Sequence, residues 1–173
     1  GLARIGNLAR LSVGGSGMLG IPGFSRRLLA ALARERVSVV LITQSSSERS
    51  ICVGVNAQDA APAQVAVDEE FATEIAAGRI EPLRPEQDLA IVALVGENMK
   101  DHPGISGKLF GALGHNGVNI RAIAQGASEK NISTVIRAAD VRKAINVLHE
   151  AFFEATKKQV NLFILGPGNV GSK

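Results

Sequence analysis

Residues 11–53 read LSVGGSGMLGIPGFSRRLLAALARERVSVVLITQSSSERSICV, and residues 92–134 read VALVGENMKDHPGISGKLFGALGHNGVNIRAIAQGASEKNIST. Laid over each other at an offset of 81, without a gap, about a third of the positions agree. The agreements include Gly15/Gly96, Met18/Met99, Pro22/Pro103, Gly23/Gly104, Leu32/Leu113, Val37/Val118, Gln44/Gln125, Glu48/Glu129 and Ile51/Ile132. Chance does not sustain that agreement without a gap, so the chain holds two copies of one unit.

Each copy has the same local rhythm. Apolar segments at 9–15 and 89–96 predict first strands that end in glycine. Pro22-Gly23 and Pro103-Gly104 then open helices, proline being tolerated at a first helical position. Phe24, Leu28 and Leu32, and likewise Ile105, Leu109 and Leu113, recur at helical spacing and predict one buried face per helix. Val/Ile-rich runs at 37–43 and 118–124 predict second strands, and 50–55 and 132–137 predict third strands. Second helices are expected over 62–76 and 140–153, with Pro62 and Asp140 as start signals. Segments 79–84 and 160–165 could supply fourth strands. The expected class is α+β: two tandem ferredoxin-like βαββαβ units, helices on one face of antiparallel sheets. The boundaries read as 1–8 linker, 9–86 first unit, 87–159 second unit, and 160–173 the opening of something further.

Composition narrows the function. Of 173 residues, 46% are hydrophobic and 20% charged, which argues against disorder. Trp and Tyr are absent, six Phe are present, and the net charge of +3 is unclustered. Nucleic-acid binding needs a basic patch and stacking aromatics, so it is not expected. No apolar run reaches the roughly 18 residues of a membrane helix, and no secretory leader is recognisable, so no membrane partner is expected. The lone Cys52, in the apolar run Ile51-Cys52-Val53, reads as a reduced core thiol and suits a cytoplasmic setting. No Cys/His spacing suggests a metal. His102, His115 and His149 form no ligand spacing and read as surface groups. The run Asp68-Glu69-Glu70 reads as a solvated helix face. Neither a nucleophilic triad nor a carboxylate pair emerges, so no catalytic residue is assigned.

The repeated polar residues carry more. A glycine loop leading into a helix N-terminus offers unpaired N–H groups to a carboxylate or phosphate. Gly14–Gly23 and Gly96–Gly104 provide this twice, although such glycines can serve the turn alone. Gln44 and Gln125 each end an otherwise apolar strand, and a primary amide can both donate to and accept from an amino acid. The amides could instead fix the following turns, as could Ser47-Glu48 and Ser128-Glu129. At the end of the chain VNLFILGPGNVG (160–171) places Gly166-x-Gly168-x-x-Gly171, a dinucleotide fingerprint, after a strand. Only two residues follow, so the fingerprint is incomplete and no cofactor is expected to bind here.

Taken together, MxxxPG, VSVVLITQSSSExSI, VNIxAIAQGxSExxIS and the terminal FILGPGNVG resemble the tandem ACT regulatory domains of aspartokinases, in the form joined to a homoserine dehydrogenase. The resemblance runs from about Leu8 to Gly171. It implies a kinase domain before residue 1, using ATP with Mg, and an NAD(P)-dependent dehydrogenase after residue 173. It also implies feedback inhibition by an end-product amino acid, and a homo-oligomer associating through its ACT sheets. Carried over by position, the implied effector contacts are Met18, Gly23, Phe24, Ser38, Val39 and Gln44, and in the second unit Met99, Gly104, Ile105, Asn119, Ile120 and Gln125. Lysine-sensing relatives carry an Asp where this chain has Val40 and Arg121. Neither welcomes a second ammonium, so the effector implied is L-threonine.

Overall fold

The computed structural model describes residues 1–16, 18, 21–45, 50–97, 99, 102–125 and 130–154. Six strands among these residues form one antiparallel sheet: β1 (Leu2–Gly14), β2 (Val39–Ser45), β3 (Ser50–Asn56), β4 (Arg84–Val95), β5 (Ala122–Gln125) and β6 (Asn131–Arg137). Their order is β2-β3-β1-β4-β6-β5. Five α-helices among the described residues accompany them: α1 (Phe24–Arg34), α2 (Ala60–Glu70), α3 (Ala72–Ala76), α4 (Ile105–His115) and α5 (Val141–His149), the last running into a π turn over Glu150–Glu154.

The central pair, β1 with β4, obeys the repeat. Ala3 faces Ala93 and Ser12 faces Arg84, and adding 81 to 3 and subtracting it from 93 turns the first pair into the second. Leu8 faces Leu89, its own counterpart, so a pseudo-twofold axis passes between them. Register shifts flank this point, and Asn7 and Asp88, again counterparts, both take positive φ, 54° and 56°. Asn and Asp tolerate the left-handed region better than most residues, which suits them to these bends.

This pairing corrects two expectations. Residues 2–8 belong to β1 and are not a linker; residues 2–5 pair with Ile91–Leu94 and close the sheet of the second unit. The first unit is closed in turn by Arg84–Glu86, so the expected strand over 79–84 reduces to its last residue. Each unit thus takes its fourth strand from an extension of the other's first. The expected strand at 160–165 lies outside the described residues.

Other differences are local. Pro22 and Pro103 precede the helices, which begin at Phe24 and Ile105 behind left-handed Gly23 (φ 70°) and Gly104 (φ 91°). The expected helix over 62–76 breaks at Phe71 into α2 and α3, and the one over 140–153 ends as α5 plus the π turn. Gly15 is required by close approach: a Cβ there would lie 2.3 Å from the Arg79 carbonyl oxygen, beside the contact in which Glu81 N–H donates to Gly14 C=O.

Each unit buries its own core between sheet and helices. In the first, Leu11, Val13, Ile51 and Val53 meet Phe24, Leu28, Leu32 and Val67. In the second, Val92, Leu94 and Ile132 meet Leu109, Leu113, Ala144 and Leu148. On the opposite, non-helical face, Leu8, Leu41, Leu89, Ile91, Ala93 and Val135 form a third cluster, against which Ala122 and Ala124 pack. The two units therefore also bury part of their non-helical faces against each other.

A cation over an aromatic ring braces the helices of both units: Arg27 lies 4.6 Å from the Phe71 centroid, and its counterpart Lys108 lies 5.0 Å from that of Phe152. The first unit adds carboxylates. Arg27 Nε donates to Glu70 at 3.0 Å, a further guanidinium N–H donates to Glu74, and Arg34 donates to Glu70 at 2.6 Å. Glu70 is therefore not merely solvated, as its acidic run suggests, and Asp68 likewise accepts from the Leu83 N–H at 2.9 Å. Hydrogen bonds from Arg34 and then Arg27 hold the Glu70 carboxyl below its ordinary range, and the bond from Arg27 does the same for Glu74. A lowered carboxylate pKa stabilises the fold above the unfolded value and loses that contribution as pH falls through the folded one. Urea midpoints should thus drop below about pH 4.3, the ordinary glutamate value. Arg27→Met should cost about 1–2 kcal/mol at pH 7 and flatten that acid limb. An unchanged acid limb in Arg27→Met would remove these carboxylates as its cause.

A cleft at a helix N-terminus

In the second unit β4 ends at Val95, the chain crosses Gly96 and Met99, and Gly104 turns it into α4. Among the described residues no side chain caps α4, and its first turn carries no acidic residue. The Gly104 carbonyl accepts from Lys108 at 2.9 Å, while the first-turn N–H groups have no intrahelical acceptor. Beside them β5 ends in Gln125, opposite Ile132, whose side chain belongs to the helical-side core. Facing residues of paired strands share a face, so Gln125 stands on the helical side next to the start of α4.

These elements enclose a cleft of about 240 Å³ lined by Met99, His102, Pro103, Gly104, Ile105, Ser106, Gln125 and Ile132. Its chemistry is N–H groups without an intrahelical acceptor at the positive end of a helix dipole, one primary amide, a hydroxyl, an imidazole and an apolar floor. Among its described lining residues there is no carboxylate. Such a site suits a small molecule with a carboxylate and a short side chain.

The structure gathers four of the residues singled out in the second unit: Met99, Gly104, Ile105 and Gln125. Asn119 and Ile120 are not among the lining residues; Asn119 is exposed before β5 and Ile120 packs on the core. In the first unit Gly23 takes the same left-handed cap and Gln44 faces Ile51, as Gln125 faces Ile132. Met18 and Val39 pack on the first core, and Ser38 is exposed. Phe24 is only 6% exposed and stacks on Phe71 at 4.6 Å, so its ring belongs to the core. Arg121 pairs with Glu86 on the non-helical face instead of lining the cleft, so any selection against lysine does not run through contact with it.

His102 and Ser106 are lining residues that the sequence reading missed. The repeat held a signal, since His102 stands where the first unit has Ile21, beside the shared Pro-Gly. Cys52 is half-buried on the non-helical face, its Sγ 3.1 Å from Ser12 Oγ, and so is not the apolar core thiol expected. The turns with Ser47-Glu48 and Ser128-Glu129, and the glycines Gly166, Gly168 and Gly171, lie outside the described residues. No helix among the described residues is long and apolar enough to cross a membrane. Nor do the described residues bring three or more His, Cys, Asp or Glu together as metal ligands.

Residues 11–71 and 92–152 each match the ACT domain family, at the same offset of 81 that relates the repeats. The chain belongs to that family and carries two ACT domains in tandem. The particular region it matches is the regulatory part of bifunctional aspartokinase/homoserine dehydrogenases. The protein of that name from Haemophilus influenzae is 39% identical over all 173 residues, which span 21% of its length. Among solved structures, the ligand-free regulatory subunit of aspartate kinase from Thermus thermophilus superposes with a TM-score of 0.74 at 27% identity, covering 88% of this chain and 97% of that one. Aspartokinase III of E. coli in complex with lysine and aspartate gives 0.65 at 29% identity, covering 88% of this chain and 32% of that one. The chain thus spans about a fifth of the curated bifunctional relatives.

Two glycines of this unit should respond to alanine with opposite sign. Gly104 has open space around its Cβ position but a φ of +91°, so Gly104→Ala should destabilise by about 1–2 kcal/mol through backbone strain alone. Gly107, inside α4 with open space and no positive φ, should gain about 0.5–1 kcal/mol as Gly107→Ala. Urea unfolding of the two variants checks this, and a shared sign would contradict the backbone described.

Proposed function

We propose that this chain is the effector-binding region through which L-threonine inhibits a longer polypeptide. That polypeptide is an aspartate kinase, using ATP with Mg, joined to a homoserine dehydrogenase using NAD(P), and it works in the cytoplasm. The observation that carries the reading is the second-unit cleft, where a helix N-terminus with no acidic residue in its first turn meets Gln125.

The threonine carboxylate takes the first-turn N–H groups of α4, and its hydroxyl and ammonium are read by the Gln125 amide. The methyl group rests on Met99 and Ile132. Gln44 does the same work in the first unit, beside the cap at Gly23. Lysine is disfavoured because its ammonium would enter a cleft with no carboxylate among its described lining residues, and methionine because it lacks the hydroxyl. Leaving the amide unmatched is the costly error for either competitor. The bound amino acid inhibits by binding one arrangement of the attached domains better than the other, typically with a coupling of about 1–3 kcal/mol.

Self-association accompanies this role. β2 is an outermost strand of the sheet, carries neither proline nor lysine, and exposes Val40 (36%) and Ile42 (51%). Such an edge readily pairs with another copy.

Calorimetric titration with L-threonine, with L-lysine and L-methionine as controls, tests the reading. Heat with threonine alone is expected, with the affinity of Gln44→Ala/Gln125→Ala reduced at least tenfold, about 1.4 kcal/mol. Unchanged threonine affinity in that variant would overturn the site. Silence with all three amino acids would leave an assembly module that binds no effector of its own.

A further inference from the structure

The pseudo-twofold axis makes two equivalent seams where the non-helical faces of the units meet, and their side chains differ. At one seam Arg10 of β1 reaches across: its Nη2 lies 2.8 Å from Glu86 Oε2, and its Nη1 donates to the Arg121 carbonyl at 2.8 Å. The Arg121 Nε stands 3.4 Å from Glu86 Oε1, and the Arg121 N–H donates to Val135 at 2.7 Å. All three side chains are largely covered, at 27%, 29% and 33% exposure for Arg10, Glu86 and Arg121. At the other seam the offset of 81 puts Ile91, Ile5 and Val40 in the places of Arg10, Glu86 and Arg121. Those three make no bridge; they line an open cavity of about 470 Å³.

We propose that Arg10, Glu86 and Arg121 form a clasp between the units that couples their two effector clefts. Arg121 immediately precedes β5, the strand that Gln125 ends, so a shift of β5 on filling the second cleft moves the carbonyl that Arg10 holds. Arg10 in turn lies on β1, which runs directly into Gly14, Gly15 and the loop before the Gly23 cap. Glu86 is the hinge of the charge balance. Removing it leaves two guanidinium groups facing each other, each already with a buried Nε that has no hydrogen-bond acceptor among the described residues. Replacing all three residues by their aliphatic counterparts removes the charges together and leaves packing. Where it concerns effector binding, the clasp rests on the proposed threonine function; as a mechanical link it does not.

The test compares Glu86→Gln with the triple variant Arg10→Ile/Glu86→Ile/Arg121→Val, which gives the clasped seam the residues of the open one. Threonine affinity at each cleft is read with the other intact or disabled by Gln44→Ala or Gln125→Ala. In the parent chain, disabling one cleft should change affinity at the other by about fivefold or more. In the triple variant, of parental stability, that dependence should vanish. Persistence of the dependence in the triple variant, or independent clefts in the parent, would overturn the coupling. A ligand-free arm uses nitroxide labels at Arg26→Cys and Lys143→Cys, both exposed helix positions, with Cys52→Ser. Glu86→Gln should broaden the label–label distance distribution, and an unchanged distribution would overturn the clasp whatever threonine does. A Glu86→Gln chain too unstable to label, beside a stable triple variant, supports it. Absence of threonine binding in the parent rejects the effector reading and the coupling, while the label distances still decide the mechanical link.

Discussion

Pairing of β1 with β4 about Leu8 and Leu89 is the constraint on which the rest of this structure depends. Two copies of a βαββαβ unit could sit side by side as independent domains. Here each first strand is long enough to serve both units, its C-terminal half in its own sheet and its other half in the neighbour's. Every backbone pair along this ladder joins the two units, so neither sheet is complete without the other chain segment. A bend is needed where a strand passes from one unit to the next, and Asn7 and Asp88 supply it twice with left-handed backbone that a β-branched residue would resist.

The same pairing positions the cleft. Because residues 2–5 close one side of β4, the other side is free for β6, and β5 follows as the outermost strand. Its short run ends in Gln125 beside the loop from β4 to α4. The amide and the helix N-terminus therefore meet through sheet order, although more than twenty residues separate Gln125 from Met99 in the chain. Glycine at 104 does the remaining work, turning the chain left-handed so that the first turn of α4, uncapped by any described side chain, faces the amide. A capping Asp or Ser there would have satisfied some of these N–H groups internally and left fewer for a ligand.

Much of this was legible in the residues. The gapless repeat carried the class and the number of units. Helical stripes such as Phe24, Leu28 and Leu32 marked the buried faces correctly, and the recurring glutamines pointed to strand ends. What escaped has a common physical origin in non-local pairing. Residues 2–5 read as a linker because an isolated segment gives no sign that Ile91–Leu94 will pair with it. The stretch 79–83 has the composition of a strand but is spent passing behind Gly15, where carbonyl and glycine nearly touch. Phe24 stood both on the buried helical stripe and among the effector contacts that the resemblance implied; the structure places its ring in the core against Phe71, a partner that nothing local reveals. Asp68-Glu69-Glu70 looked solvated because the arginines that engage Glu70 come from a helix more than thirty residues away.

The difference between the two seams follows from what a repeated sheet must avoid. Residues Leu89 to Leu94 of β4 are apolar and buried on both faces, so their own pattern does not distinguish one face from the other. A slip of one residue between β1 and β4 would carry Glu86 to the opposite face and leave Arg10 and Arg121 together without a carboxylate. That penalty has no equivalent for Ile91, Ile5 and Val40, which exchange one apolar contact for another. The charges on one seam therefore add to the register that β1 already carries in its alternation of core-facing Ala9, Leu11 and Val13 with Arg10 and Ser12. The other seam has no such charges and stays open and apolar, so the duplicated fold is asymmetric in its side chains about a symmetric backbone axis.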